Sequence, residues 1–182
     1  IKEGFAEYSS HLFEELLSGR EAFVEMVKDN QQFVLEQAHI DDLGFWALSP
    51  IPDAEIYGRH SYNKGASVVH NVRNYLGDDL FRSGGQAVLA THYGGAMDDV
   101  MLEAAWEAAT GVDLTPWFDA HIRQPGFSTW VLDSTSTMGL GAPTGAVTTL
   151  YLQQKRRECD NHHGNEPLDV TVGDAEGNRE VA

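Results

Sequence analysis

Apolar residues recur at three- and four-residue intervals from the start of the chain. Phe5, Tyr8, Leu12, Phe13, Leu16 and Leu17 fall on this spacing, which predicts a helix over residues 3–18 stopped by Gly19. A second helix is predicted over 20–37, with Phe23, Met26, Val27, Phe33 and Val34 on one side. The pattern breaks over 38–61, where Pro50, Pro52, Asp53 and Gly58 predict a long loop of the kind that often carries function. Helical spacing returns at 62–76 with Val68, Val69, Val72 and Leu76, and Gly77 closes that segment. Asp78 is placed to cap the next helix, which is expected to reach about Tyr93. Further helices are expected over Met97–Thr110, stopped by Gly111, and over Leu114–Ile122, with Pro116 in its first turn.

After Gln124 the pattern changes to β-branched alternation. Thr129–Leu132, Val147–Gln153 and Leu168–Val172 read as strands, with a hairpin turn at Asp174–Gly177. The Gly-, Ser- and Thr-rich stretch 133–146 reads as a flexible link. The expected fold class is therefore mainly α: about six helices over 1–132, a linker over 133–146, and the beginning of a small β region over 147–182. No internal repeat is present.

Composition narrows the partners. A net charge of -16, from 28 acidic and 12 basic residues, argues against nucleic acid and against an anionic membrane surface. It describes a strongly solvated acidic surface of the kind that keeps halophile proteins soluble in salt. The single cysteine, Cys159, excludes a disulfide framework and any multi-cysteine zinc site. No apolar run is long enough for a membrane segment. The chain begins with Ile1, already inside a helical pattern, and reads as cut from something longer. It carries no address of its own; a soluble protein is expected, with the cytoplasm favoured.

Two residues stand out as chemistry. Glu3 opens the first helix, where a carboxylate is favoured by the helix dipole whether or not it does anything else. Tyr62 follows the long loop at a helix start, where a hydroxyl can face a cleft or simply satisfy a turn. His162, His163, Asp160 and Cys159 lie together in a polar segment that reads as a solvated turn rather than a metal site. His11 and His70 read as packed helix residues, and Glu14, Glu15, Asp98 and Asp99 as solvated faces or caps. Trp46 and Tyr57 are candidates to line a cleft. Neither a nucleophile triad nor a phosphate-binding glycine loop is present.

The phrases around Glu3 and Tyr62 resemble those of the gluzincin zinc aminopeptidases, the family of alanyl aminopeptidase (aminopeptidase N) and leukotriene hydrolase. Lys2-Glu3-Gly4 is similar to the step that follows H-E-x-x-H in that family, and Tyr62-Asn63-Lys64-Gly65-Ala66 to its Y-x-K-G-A step. Glu3 and Tyr62 are 59 positions apart, close to the family interval of about sixty. Gly77-Asp78-Asp79-Leu80-Phe81, Tyr93–Val100, Gly111–Phe118 and Gln124-Pro125-Gly126-Phe127 continue the likeness, with Ser128 replacing the usual proline. The resemblance covers residues 1–132 well and 147–177 loosely. It implies the C-terminal helical subdomain of a thermolysin-like peptidase, followed by the start of a β-sandwich-like region. It also implies that Glu3 is the third protein ligand of a zinc ion and that Tyr62 is a catalytic donor to the tetrahedral oxyanion.

The H-E-x-x-H itself does not occur in the sequence. Two neutral imidazoles, one carboxylate and a free water position make a catalytic zinc site, and only the carboxylate is here. The expectation is a parent enzyme that uses zinc and hydrolyses N-terminal residues of peptide substrates, while this piece alone is inactive and holds no zinc at Glu3. Surface exposed by truncation is expected to drive self-association. A non-catalytic helical interaction module on the same scaffold is the alternative, and an epoxide hydrolase side activity is a third reading.

Overall fold

A computed structural model describes residues 1–138, 147–164, 168, 170–173 and 179–181. Its helices are α1 (Lys2–Ser18), α2 (Arg20–Phe33), a short α3 (His39–Asp41), α4 (Gly65–Leu76), α5 (Asp78–Thr91), α6 (Asp99–Thr110) and α7 (Thr115–His121). A wide, π-helical turn at Val34–Ala38 joins α2 to α3, and another at His60–Lys64 leads into α4. The strands are β1 (Phe127–Met138), β2 (Val147–Arg157), β3 (Thr171–Gly173) and β4 (Arg179–Val181). The mainly helical class with a small β addition is therefore the observed one.

The central helix is α4, because its apolar residues feed both cores. Val68, Val72 and Leu76 pack with Leu102 and Trp106 of α6 and with Trp117 and Phe118 of α7. Ala66 and Val69 pack with Tyr8 of α1 and with Phe23 and Val27 of α2. Phe5 and Phe81 touch both clusters, and their rings meet Trp106 edge-on at 6.2 and 5.5 Å. Full burial of each large apolar side chain contributes about 1.5–3 kcal/mol, so this helix pair-wise stacking dominates the stability of residues 1–122.

Charged residues lock the ends of the helices. Arg73 holds Asp78 through two bonds of 2.6 and 3.0 Å and Glu15 at 2.8 Å. Asp78 is thus the first residue of α5 and an ion-pair partner, not its cap; the position before it is Gly77, with a φ of 77°. Arg123 binds Asp99, Asp119 and Glu103, and Asp99 also accepts from Ser49 at 2.7 Å. Asp98 does cap α6, accepting the Met101 N–H at 2.8 Å. Glu15 and Asp99 are therefore structural anions rather than solvated ones.

Gly126 turns the chain into the β region with a φ of 67°, and a Cβ there would lie 2.1 Å from the Arg157 carbonyl oxygen. β1 and β2 pair antiparallel from Phe127 opposite Arg157 to Met138 opposite Val147, with an extra residue at Asp133 between the Leu132 and Ser134 pairs. Residues 133–138, expected in a flexible link, are strand. Thr135 and Thr137 are β-branched and suit a ladder, and Thr137 bonds Thr148 across it at 3.0 Å. β3 and β4 form a separate antiparallel pair. The expected hairpin turn at Asp174–Gly177 lies outside the described residues, as do 139–146 of the expected link.

Candidate active site

Two glycines bring the two candidate groups together. A Cβ on Gly4 would lie 2.5 Å from both the Cα and the carbonyl carbon of Gly65, and one on Gly65 would lie 2.8 Å from the Cα of Gly4. Real Cβ atoms do not approach that closely, so α1 and the start of α4 touch backbone to backbone. The contact sets the first turn of α1 against the turn before α4. Glu3 is the neighbour of Gly4 and Tyr62 lies three residues before Gly65, so both stand near this contact.

The interaction registers in the chemistry of the phenol. The Tyr62 pKa is raised above its usual 10.0 by partial desolvation and then by the neighbouring Glu3 carboxylate. Lys2 sits 3.5 Å from the same carboxylate, with its ammonium 5.8 Å from the centre of the exposed Tyr57 ring. A surface cleft of about 530 Å³ opens beside Tyr62, lined also by Glu7, Asp41, Tyr57 and Arg59. Tyr57 thus lines this cleft; Trp46 lines a different one with Phe45, Pro50 and Pro52.

Tyr62 does not begin an α-helix. It sits in the wide turn His60–Lys64, whose geometry is held by residues far away in sequence. The buried Asp42 carboxylate accepts the N–H groups of Arg59 and His60 at 2.8 and 2.7 Å and meets His60 Nδ1 at 2.6 Å. Burial lowers the His60 pKa and that carboxylate only partly opposes it, while the bonds Asp42 accepts outweigh its own burial and lower its pKa. Asn30 of α2 donates to the Asn63 carbonyl at 2.9 Å and accepts from the Asn63 amide at 2.8 Å. Lys64, buried, donates to the Trp46 carbonyl at 2.8 Å, and burial pushes its pKa down to about 8. Asp42, His60 and Asn30 carry no sequence signal beyond their residue types, since their partners lie 18 and 33 positions off.

The remaining candidates fall elsewhere. His11 is buried beside Tyr8, and His70 accepts or donates to the Tyr8 hydroxyl at 3.0 Å, with burial lowering its pKa to about 4. In the Cys159–His163 segment, Asp160 and His162 are exposed as expected, but Cys159 and His163 are buried. Cys159 donates to the Phe127 carbonyl, and the His163 ring lies edge-on to His121 at 4.4 Å. Among the described residues no group of three or more His, Cys, Asp or Glu side chains is arranged to hold a metal ion. Among the same residues no helix is long and apolar enough to cross a membrane.

A carboxylate in the first turn of α1 and a phenol in the wide turn before α4 stand near each other, the phenol beside an open cleft. The family model of the peptidase family M1 domain matches residues 1–121 of the 182, and the chain belongs to that peptidase family. M1 members are hydrolases that act on peptides and are generally zinc-dependent. No match was found among curated proteins.

Proposed function

We propose that this chain supplies two working groups to an M1 zinc aminopeptidase: Glu3 as a metal-binding carboxylate and Tyr62 as the donor that stabilises the oxyanion. The observation that supports the reading is the Gly4–Gly65 contact, which sets the first turn of α1 against the turn that carries Tyr62. A phenol whose ordinary pKa is 10.0 keeps its proton at neutral pH, which is the state a donor needs. A preorganised donor of this kind contributes about 2.7–4 kcal/mol to a transition state.

The residues present do not make a zinc site on their own. A catalytic zinc takes three protein ligands, and this chain offers one carboxylate there, with the Lys2 ammonium beside it. No step through zinc is therefore derived from this chain. Its own part is to orient one carboxylate, hold one phenolic proton and shape the cleft in which a peptide end would lie.

Calorimetric zinc titration of the 182-residue chain tests the division of labour. No tight binding is expected. Tight one-to-one binding that disappears in Glu3→Ala would contradict it. In the peptidase that carries this segment, Glu3→Gln is expected to lower bound zinc sharply, and full zinc content in that variant would remove Glu3 from the metal site.

A further inference from the structure

The turn that carries Tyr62 is wider than an α-helical turn, and wide turns of this kind disturb the regular ladder and recur at functional sites. Its Gly65 N–H reaches back to both the His60 and the Tyr62 carbonyls, so the regular one-to-one ladder is lost there. Side chains from outside the helix supply the restraint. On one side, Asp42, 4% exposed, takes the N–H groups of Arg59 and His60 and the His60 ring. On the other, Asn30, 8% exposed, donates to the Asn63 carbonyl and to the Ser67 hydroxyl and accepts the Asn63 amide. These bonds fall on residues 59, 60, 63 and 67, and none of them involves the phenol.

Both side chains are polar and buried, so each costs desolvation that its hydrogen bonds must offset. A buried polar network with every member satisfied rigidifies what it holds. Two such networks bracket Ser61 and Tyr62, on a turn that would otherwise be a soft point in the helix. Glu3 and Tyr62 also stand on two separate elements, the first turn of α1 and the wide turn before α4, so an error in the turn moves the phenol relative to the carboxylate directly. Misplacement of a catalytic group by about 1 Å can cost a factor of about one hundred in rate.

We propose that Asp42 and Asn30 are positioning residues for Tyr62: they fix the wide turn His60–Lys64 from both sides and so hold the phenol opposite Glu3. The proposal rests on the reading of Tyr62 as the oxyanion donor. It differs from a stabilising role in one respect. A residue that only stabilises the fold changes the melting temperature and leaves the Tyr62–Glu3 relation intact in molecules that are folded.

The test uses the near-isosteric variants Asp42→Asn and Asn30→Asp, which keep side-chain volume while spoiling the donor–acceptor match. The chain is prepared with ring-carbon-labelled tyrosine, and the Tyr62 resonance is assigned by its loss in Tyr62→Phe. In the unaltered chain, Glu3→Gln is expected to move that resonance. In each positioning variant, the same Glu3→Gln change is expected to move it by less than half as much, at a temperature where circular dichroism shows native helix content. A full-sized response in both variants overturns the proposal, however unstable they are. So does the absence of any response in the unaltered chain, since no aligned phenol is then being held.

In the peptidase that carries this segment, both variants are expected to lower kcat by about tenfold or more, with KM within about twofold and zinc content unchanged. Added to Tyr62→Phe, they are expected to cause little further loss, because the group they position is already gone. Normal kcat in both variants, beside a low kcat in Tyr62→Phe, overturns the positioning role alone. Normal kcat in Tyr62→Phe itself locates the failure in the role of Tyr62 and removes both.

Discussion

Gly4→Ala is the sharpest perturbation the fold offers, because one methyl group meets backbone. The new Cβ would lie 2.5 Å from the Gly65 Cα and carbonyl carbon and 2.9 Å from the Gly65 oxygen. Ordinary contact begins near 3.4 Å, so α1 and α4 must part by about an ångström, and no flexible side chain can give way instead. Overpacking usually costs about 1–3 kcal/mol. The backbone obstacle puts this case at the top of that range, because the opening also loosens Tyr8, Ala66 and Val69, which pack along the same crossing. A loss of about 3 kcal/mol corresponds to a melting temperature lower by roughly 6–12 °C for a chain of this size. Gly85→Ala in α5 is the matched control: nothing lies within 4 Å of its Cβ position, and exchanging glycine for alanine in a helix stabilises by roughly 0.5–1 kcal/mol. Thermal and urea unfolding followed by circular dichroism at the helix band would read both. The same substitution should change sign between the two sites. Gly4→Ala as stable as the parent would refute the backbone contact, and with it the reason Glu3 and Tyr62 meet.

Two further outcomes follow from the buried charges. Burial holds the pKa values of His11, His60 and His70 below the ordinary 6.5, that of His70 at about 4. The unfolded chain therefore takes up these protons first, and the stability contributed by these three histidines is complete above about pH 6.5 and drains as pH falls toward about 4. Equal urea midpoints at about pH 5 and about pH 7.5 would contradict that. Lys64→Met keeps the length of the buried stem but leaves the Trp46 carbonyl, now bonded at 2.8 Å, without its donor. A loss of about 1–3 kcal/mol is expected, read as a lower urea midpoint with an unchanged slope, and an unchanged midpoint would show that the bond contributes nothing net.

The helical part of the fold was legible because its punctuation is local. Gly19, Gly77 and Gly111 end helices where the apolar spacing ends, and Pro116 starts one, so each boundary needs only its neighbours. The β region was less legible: Ser and Thr over 133–138 suit both a link and an exposed ladder, and only the pairing with β2 decides. Asp78 was misread for a similar reason, since an aspartate at a helix start can cap or pair, and Arg73 one turn back captures it. Within the site, Glu3 and Tyr62 were visible as residues and as family phrases. What was not visible is why they meet. The Gly4–Gly65 contact, Asp42 under His60 and Asn30 under Asn63 are all through-space relations between distant segments, and residue type alone does not announce a partner.

The central claim is that Tyr62, held opposite Glu3, donates to the oxyanion in an M1 peptidase. Steady-state kinetics of Tyr62→Phe in the peptidase that carries this segment test it most directly. The account predicts a kcat lower by about 10²–10³-fold, with KM and zinc content close to those of the parent. An unchanged kcat would contradict it.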